Sequence, residues 1–132
     1  MFGNGNGRDD GAEKWEAQLR KGCLELAVMA VLKPGRSYGL EILRALEETS
    51  NLVLSEGTIY PILNRLRQDS LVTTEWVESD SGHPRKYYSL TAKGRERAAQ
   101  MAKTWLEFAE GVTALVSPLV EAAQTKRRST GT

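Results

Sequence analysis

Residues 55–90 read SEGTIYPILNRLRQDSLVTTEWVESDSGHPRKYYSL, and the hydrophobic period changes once along this stretch. From Glu56 to Asp69, Ile59, Ile62, Leu63 and Leu66 recur at the i, i+3, i+4, i+7 spacing of a helix with one buried stripe. Ser55 stands where an N-cap is expected. Pro61 is tolerable if it falls near the helix start, where few amide donors have an intrahelical partner. Beyond Asp69 the pattern turns β-prone, with Val72, Thr73, Thr74, Trp76 and Val77 in 72–78 and Tyr87 and Tyr88 in 85–90. Between the two runs, Ser79-Asp80-Ser81-Gly82-His83-Pro84 is dense in turn formers, which predicts a hairpin.

Upstream, residues from about 14 to 32 are apolar on several sides (Leu19, Cys23, Leu24, Leu26, Ala27, Val28, Val31). Such a helix needs several packing partners, and Lys33-Pro34-Gly35 stops it. A second helix over 38–48 places Ile42, Leu43 and Leu46 on one face. Three helices and then a hairpin is the order of a winged helix, in which helices two and three form a helix-turn-helix. Downstream, Thr91 is a good N-cap for a last helix ending near Pro118. Its positions Gly94, Ala98, Met101, Trp105, Phe108, Val112, Leu115 and Leu119 alternate steps of four and three, a heptad seam. Gly111 weakens that helix by up to about 1 kcal/mol. The expected fold class is mostly α with a two-stranded β-hairpin: a winged helix-turn-helix over 14–90 and a long C-terminal dimerisation helix over 91–118. Residues 1–13 and 124–132, the latter basic with Lys126, Arg127 and Arg128, read as disordered tails too polar to offset the entropy of ordering.

The chain has 132 residues, 18 Lys and Arg against 17 Asp and Glu, and a formal net charge of +1. That length suits one domain with a modest core. A single cysteine, Cys23, and a single histidine, His83, exclude a disulfide framework and leave a zinc site short of ligands. Cys23 lies in an apolar run and reads as a small buried hydrophobe. No Ser/His/Asp or Cys/His set can be built convincingly, and no phosphate-cradling Gly loop follows a strand. The carboxylates of Glu47, Glu48, Glu107 and Glu110 read as solvated helix faces. A non-enzyme without catalytic residues, metal or cofactor is expected. The longest apolar run, Leu26 to Leu32, is too short to span a bilayer. Residues 1–11 have no apolar signal core, so a soluble cytoplasmic protein without a membrane partner is expected.

The polar face of the third helix carries Gly57, Pro61, Asn64 and Gln68, with Tyr60 and Arg65 on its shoulders. Asn and Gln pair bidentately with adenine and Arg with guanine, in a major groove wide enough for a helix. Gly57 and Pro61 keep the leading end slim enough for the backbone to approach a phosphate strand. The near-neutral total also hides a local bias. Arg85, Lys86, Lys93, Arg95 and Arg97 face one anion, Glu96, between residues 85 and 97. Phosphate neutralisation by such cations supplies much of DNA affinity. A wing tip of Gly82, His83, Arg85 and Lys86 can enter a minor groove or follow a phosphate strand. Double-stranded DNA is the expected partner; the alternative is a winged-helix protein-interaction module whose basic strip docks an acidic partner.

These residues resemble a known family. Tyr38-Gly39, then Ser55-Glu56-Gly57-Thr58-Ile59-Tyr60-Pro61-Ile62-Leu63-Asn64-Arg65-Leu66, then Gly82-His83-Pro84-Arg85-Lys86-Tyr87-Tyr88-Ser89-Leu90-Thr91-Ala92-Lys93-Gly94 are similar to the PadR-like transcriptional regulators. The likeness covers about Leu19 to Val116 and fits the small subgroup with one C-terminal helix. It implies a repressor on an inverted-repeat operator, with Thr58, Tyr60 and Asn64 on the recognition helix, Tyr38 near the backbone, and Arg85 and Lys86 on the wing. His83 departs from the pattern, which often has a basic residue there. The resemblance also implies a homodimer built through the first helix (Leu24, Val28) and the last (Ala98, Met101, Trp105, Phe108, Val112, Leu115). In some members a tryptophan of the last helix walls a pore for flat aromatic effectors. Trp105 matches that place, although packing on the seam explains it without a ligand.

Overall fold

A computed structural model describes residues 10–50, 52 and 54–130. In chain order the elements are α1 (Asp10–Lys21), α2 (Leu24–Val31), β1 (Ser37–Tyr38), α3 (Gly39–Ser50), α4 (Glu56–Gln68), β2 (Val72–Val77), β3 (Arg85–Leu90) and α5 (Ala92–Thr130). The chain divides into two compact units, one ending at Ala98 and the other beginning at Ala99. In the first unit α2, α3 and α4 pack on one another and the sheet closes against α4. The core is drawn from Val28, Met29 and Leu32, from Ile42 and Leu46, from Ile59, Ile62, Leu63 and Leu66, and from Leu71, Val72, Tyr88 and Leu90. The stripe read on α4 is buried at all four positions. Each fully buried aliphatic chain of this kind contributes about 1.5–3 kcal/mol.

The single helix expected over 14–32 is two. Gly22 has low helix propensity, and the Cys23 amide bonds the Arg20 carbonyl at 2.9 Å, three residues back instead of four. The ladder restarts when Ala27 bonds Cys23, also at 2.9 Å. α1 also begins at Asp10, inside the stretch read as a tail; residues 1–9 lie outside the described residues. Leu24 and Val28, expected to face a second copy, are 8% and 0% exposed within one chain. They are already committed to the subunit's own core, because α2 packs on both α3 and α4.

The hairpin gains a third strand. β1 pairs antiparallel with β3, so the order is β1-β3-β2. Two residues are too few for an alternation signal, and β1 exists only because β3 offers it a ladder. Pro61 is the sixth residue of α4, past the amides that helix ends leave unpaired. The helix runs through it, leaving the Gly57 carbonyl without an amide from position 61. α5 likewise runs through Pro118 to Thr130, where sequence reading ended the helix near 118 and began a tail at 124. The Ser117 hydroxyl donates to the Thr113 carbonyl at 2.7 Å beside the interruption, and good helix formers (Glu121, Ala122, Ala123, Gln124) follow it.

The end of α4 is tied directly to the start of α5. Ser70 takes a left-handed conformation, φ 62°, so the Leu71 amide reaches back to the Leu66 carbonyl at 2.9 Å and the Ser70 amide to Arg67 at 3.0 Å. That pair of bonds caps the helix in the way usually assigned to glycine. The reversed chain then presents its carbonyls to α5: Thr91 donates its hydroxyl to the Ser70 carbonyl at 2.7 Å and its amide to the Leu71 carbonyl at 3.0 Å. The same hydroxyl accepts the Gly94 amide at 2.9 Å, a helix N-cap. A Cβ at Gly94 would overlap the Leu71 carbonyl oxygen. The sequence pattern placed Gly94 on the dimer seam; the structure spends it on this joint.

Two substitutions test the joint with opposite signs. Ser70→Gly removes the steric cost of a left-handed L-residue and should raise stability by roughly 0.5–1 kcal/mol. Gly94→Ala must push α5 off the Leu71 backbone and should lower stability by about 1–3 kcal/mol. Thermal and urea unfolding of both variants beside the parent chain measure this, and an unchanged midpoint for Gly94→Ala would contradict the packing.

Candidate nucleic-acid interface

α4 lies with its aliphatic stripe on the core and Gly57, Thr58, Tyr60, Pro61, Asn64, Arg65 and Gln68 outward, all exposed. Ser55 occupies the N-cap position with extended backbone, but its side chain makes no capping bond. Its hydroxyl instead pairs with that of Thr58 at 3.2 Å, and its carbonyl accepts the Thr58 and Ile59 amides at 3.0 and 3.1 Å. Gly57 would meet only the Ser55 hydroxyl at 3.6 Å if it had a Cβ, so the fold itself does not demand glycine there. Two expected readers are partly engaged. Arg65 pairs with Glu25 of α2 at 2.6 Å, which draws it back toward the scaffold. Arg67 is exposed and donates to the Asn64 amide oxygen at 3.4 Å.

The hairpin register sorts the wing cations. Val72↔Leu90, Thr74↔Tyr88 and Trp76↔Lys86 share one face, running from the core outward. Glu75↔Tyr87 and Val77↔Arg85 share the other, joined by Tyr38 of β1 opposite Tyr87. Successive strand residues point to opposite faces, so Arg85 and Lys86, adjacent in sequence, belong to different surfaces. On the outer face Arg85 lies 4.5 Å from the Tyr38 ring centroid and Arg36 lies 4.8 Å from that of Tyr87. Tyr38 and Tyr87 meet edge to face at 5.4 Å. Arg36 also bonds Glu75 at 2.7 Å, and this carboxylate raises the guanidinium pKa further. At the tip, Gly82 has φ 84°, its amide returns to the Ser79 carbonyl at 3.0 Å, and the Ser79 hydroxyl donates to the His83 carbonyl. His83 itself is exposed.

Between the wing and α4 lies an open groove of about 480 Å³. Tyr60 and Glu56 of α4, Gly39 and Leu40 at the start of α3, and Trp76 and Lys86 of the wing line it. A Cβ at Gly39 would overlap the Tyr60 hydroxyl and come within 2.8 Å of its ring. Glycine at 39 therefore lets Tyr60 of α4 lie across the first turn of α3, which explains the glycine after Tyr38. Behind Tyr60 is Tyr88, whose phenol pKa burial raises. Sequence reading missed Trp76 and Leu40 as surface residues; for Trp76 the signal was present, since the predicted turn already implied pairing with Lys86.

In the second unit, the seam positions Trp105, Phe108, Val112, Leu115 and Leu119 are all exposed, between 37% and 79%. Ala98, at the end of the first unit, and Met101 are half-buried. Leu106, Val116 and Val120 form a second exposed apolar line one residue on. Among the described residues no helix is long and apolar enough to cross a membrane, and no three metal-type ligands gather.

Comparison with known proteins agrees with this architecture. Residues 28–100 match the transcriptional regulator PadR-like family. A PadR-like transcription factor from Bacteroides fragilis is 41% identical, with 77% of this chain and 98% of that one covered at a TM-score of 0.64. A PadR-like transcriptional regulator from Bacillus cereus is 31% identical, with 75% and 96% covered and a TM-score of 0.68. The Escherichia coli transcriptional regulator YqjI is 33% identical over 88 residues, 65% of this chain but 37% of that longer protein. The winged helix and these relatives together establish that the chain belongs to the PadR-like family of DNA-binding transcriptional regulators.

Proposed function

We propose that this regulator is a cytoplasmic homodimeric repressor that occupies an inverted-repeat operator through two copies of α4 and the wing. The observation that carries the dimer is the seam on α5: Phe108 is 69% and Leu115 79% exposed in the single chain. Apolar residues in heptad register at that exposure call for a partner helix. Two-fold pairing would give two half-sites spaced by one helical turn or a multiple of it. On each half-site, Thr58, Tyr60, Asn64 and Gln68 face bases or backbone, Ser55, Gly57 and Pro61 let the helix start approach closely, and Arg65 joins them by exchanging Glu25 for DNA. Tyr38, His83, Arg85 and Lys86 supply the flanking contacts. A small flat aromatic effector acting through Trp105 would release the repressor; the position of Trp105 on the exposed seam supports that role.

Three outcomes follow. Asn64→Ala should weaken operator binding by about 5- to 150-fold, the span of one bidentate base contact, in anisotropy titrations against DNA enriched from genomic fragments. A protein-docking module would be indifferent to that change. Gly39→Ala should displace Tyr60 and weaken the same binding about tenfold while the far-ultraviolet spectrum stays that of the parent, because the clash falls on the movable end of one side chain. Leu115→Glu should convert the dimer to a monomer in sedimentation experiments while leaving the winged helix folded; a persistent dimer would place the interface elsewhere.

A further inference from the structure

Trp76 is 68% exposed at the distal end of β2, a position where a bare indole is costly. It is not bare of charge: the Lys86 ammonium lies 5.9 Å from its ring centroid and 5.8 Å from that of Tyr88. Lys86 is thereby held on the inner face of the wing, above the groove that Tyr60 lines from the other side. Arg85, whose guanidinium lies on the Tyr38 ring, and Gly39 and Leu40 at the start of α3 complete the charged and backbone lining of the groove. Glu56 is its one acidic lining residue. Glu41, in the first turn of α3, accepts the Tyr38 amide at 3.2 Å, so its carboxylate is engaged by that helix start.

We propose that Trp76 is a DNA-contacting residue, and that the groove receives the sugar–phosphate backbone of one strand, with Lys86 on a phosphate and the indole against deoxyribose. This inference rests on DNA binding by α4. The groove is continuous with the outward face of that helix, and a helix seated in the major groove has a phosphate strand running beside it. Among the charged lining residues Lys86 and Arg85 outnumber Glu56, as a phosphate strand requires. The flat apolar face of Trp76 suits a sugar, which offers carbon–hydrogen surface, whereas the lysine suits the phosphate. Neither contact touches a base edge, so both add affinity without sequence information.

The full-length chain is titrated with its enriched operator and with an unrelated duplex, at several salt concentrations. Trp76→Ala should weaken binding to both duplexes alike, by about tenfold, with the salt slope unchanged. Lys86→Ala should lower the slope by about 0.9, one phosphate's worth. Tryptophan emission should be quenched by DNA in the parent chain, and most of that quenching should vanish in Trp76→Phe, which keeps an aromatic ring and the fold. Binding by Trp76→Ala within twofold of the parent would overturn the inference. So would a loss confined to the operator, or quenching that survives in Trp76→Phe. A parent chain that binds neither duplex would overturn the DNA-binding reading underneath as well.

Discussion

The carbonyl of Leu71 is the point on which the arrangement turns. It accepts the Thr91 amide at 3.0 Å and lies against the bare α-carbon of Gly94. Through it the segment that leaves α4 and the first turn of α5 meet backbone to backbone. The contact forms only because Ser70 adopts φ 62° and turns the chain back at the end of α4. The hairpin hangs from the same place: Val72 and Leu90, the first residue of β2 and the last of β3, pair immediately beside the joint. Lys93 adds a bond to the Asp69 carbonyl at 3.1 Å, further fastening the helix end. A short, stiff junction of this kind sets the direction of the wing relative to α4.

From that root the wing reaches outward, and its two faces do different things. The outer face is a stack of cations and tyrosines, with Arg36, Tyr87, Tyr38 and Arg85 in contact and Glu75 neutralising Arg36. Exposed ion pairs contribute little to stability, but a guanidinium laid on a ring loses its freedom to wander. The inner face trades burial for exposure along its length: Val72, Leu90 and Tyr88 are buried, while Trp76 stands in solvent. That gradient converts one sheet face from core into surface. The same economy appears around α4, where Gly57 needs no space from its own fold and Gly39 of α3 gives space to Tyr60.

Much of this was legible in the sequence. The apolar spacing of Ile59, Ile62, Leu63 and Leu66 identified α4 because burial against a core imposes the helical period. The turn residues between Val77 and Arg85 identified the hairpin, and the α5 seam was visible because steps of four and three repeat without interruption. Less was legible where local and tertiary preferences conflict. Pro118 read as the helix end and Pro61 as tolerable only near a helix start, yet α5 and α4 run through them; at Pro61 one lost hydrogen bond costs less than giving up the burial of Ile59, Ile62 and Leu63. Leu24 and Val28 read as partner-facing because a helix apolar all round does not say which neighbour covers which side.

By itself the sequence determined the helix-turn-helix, the hairpin after it and the long last helix, but not the α1–α2 break or β1. It also determined the polar face of α4 with Asn64 and Gln68, and the cationic bias from Arg85 to Arg97. Period and composition are local properties, and they survive in a one-dimensional string. Only the tertiary structure decided that Gly94 serves a joint instead of the seam, that Arg65 turns to Glu25, and that Gly39 exists for Tyr60. It alone brought Trp76 and Lys86 to the groove beside α4. Each of these depends on which residues far apart in the chain come within a few ångströms of one another, and that distance is set by the packing of the whole core.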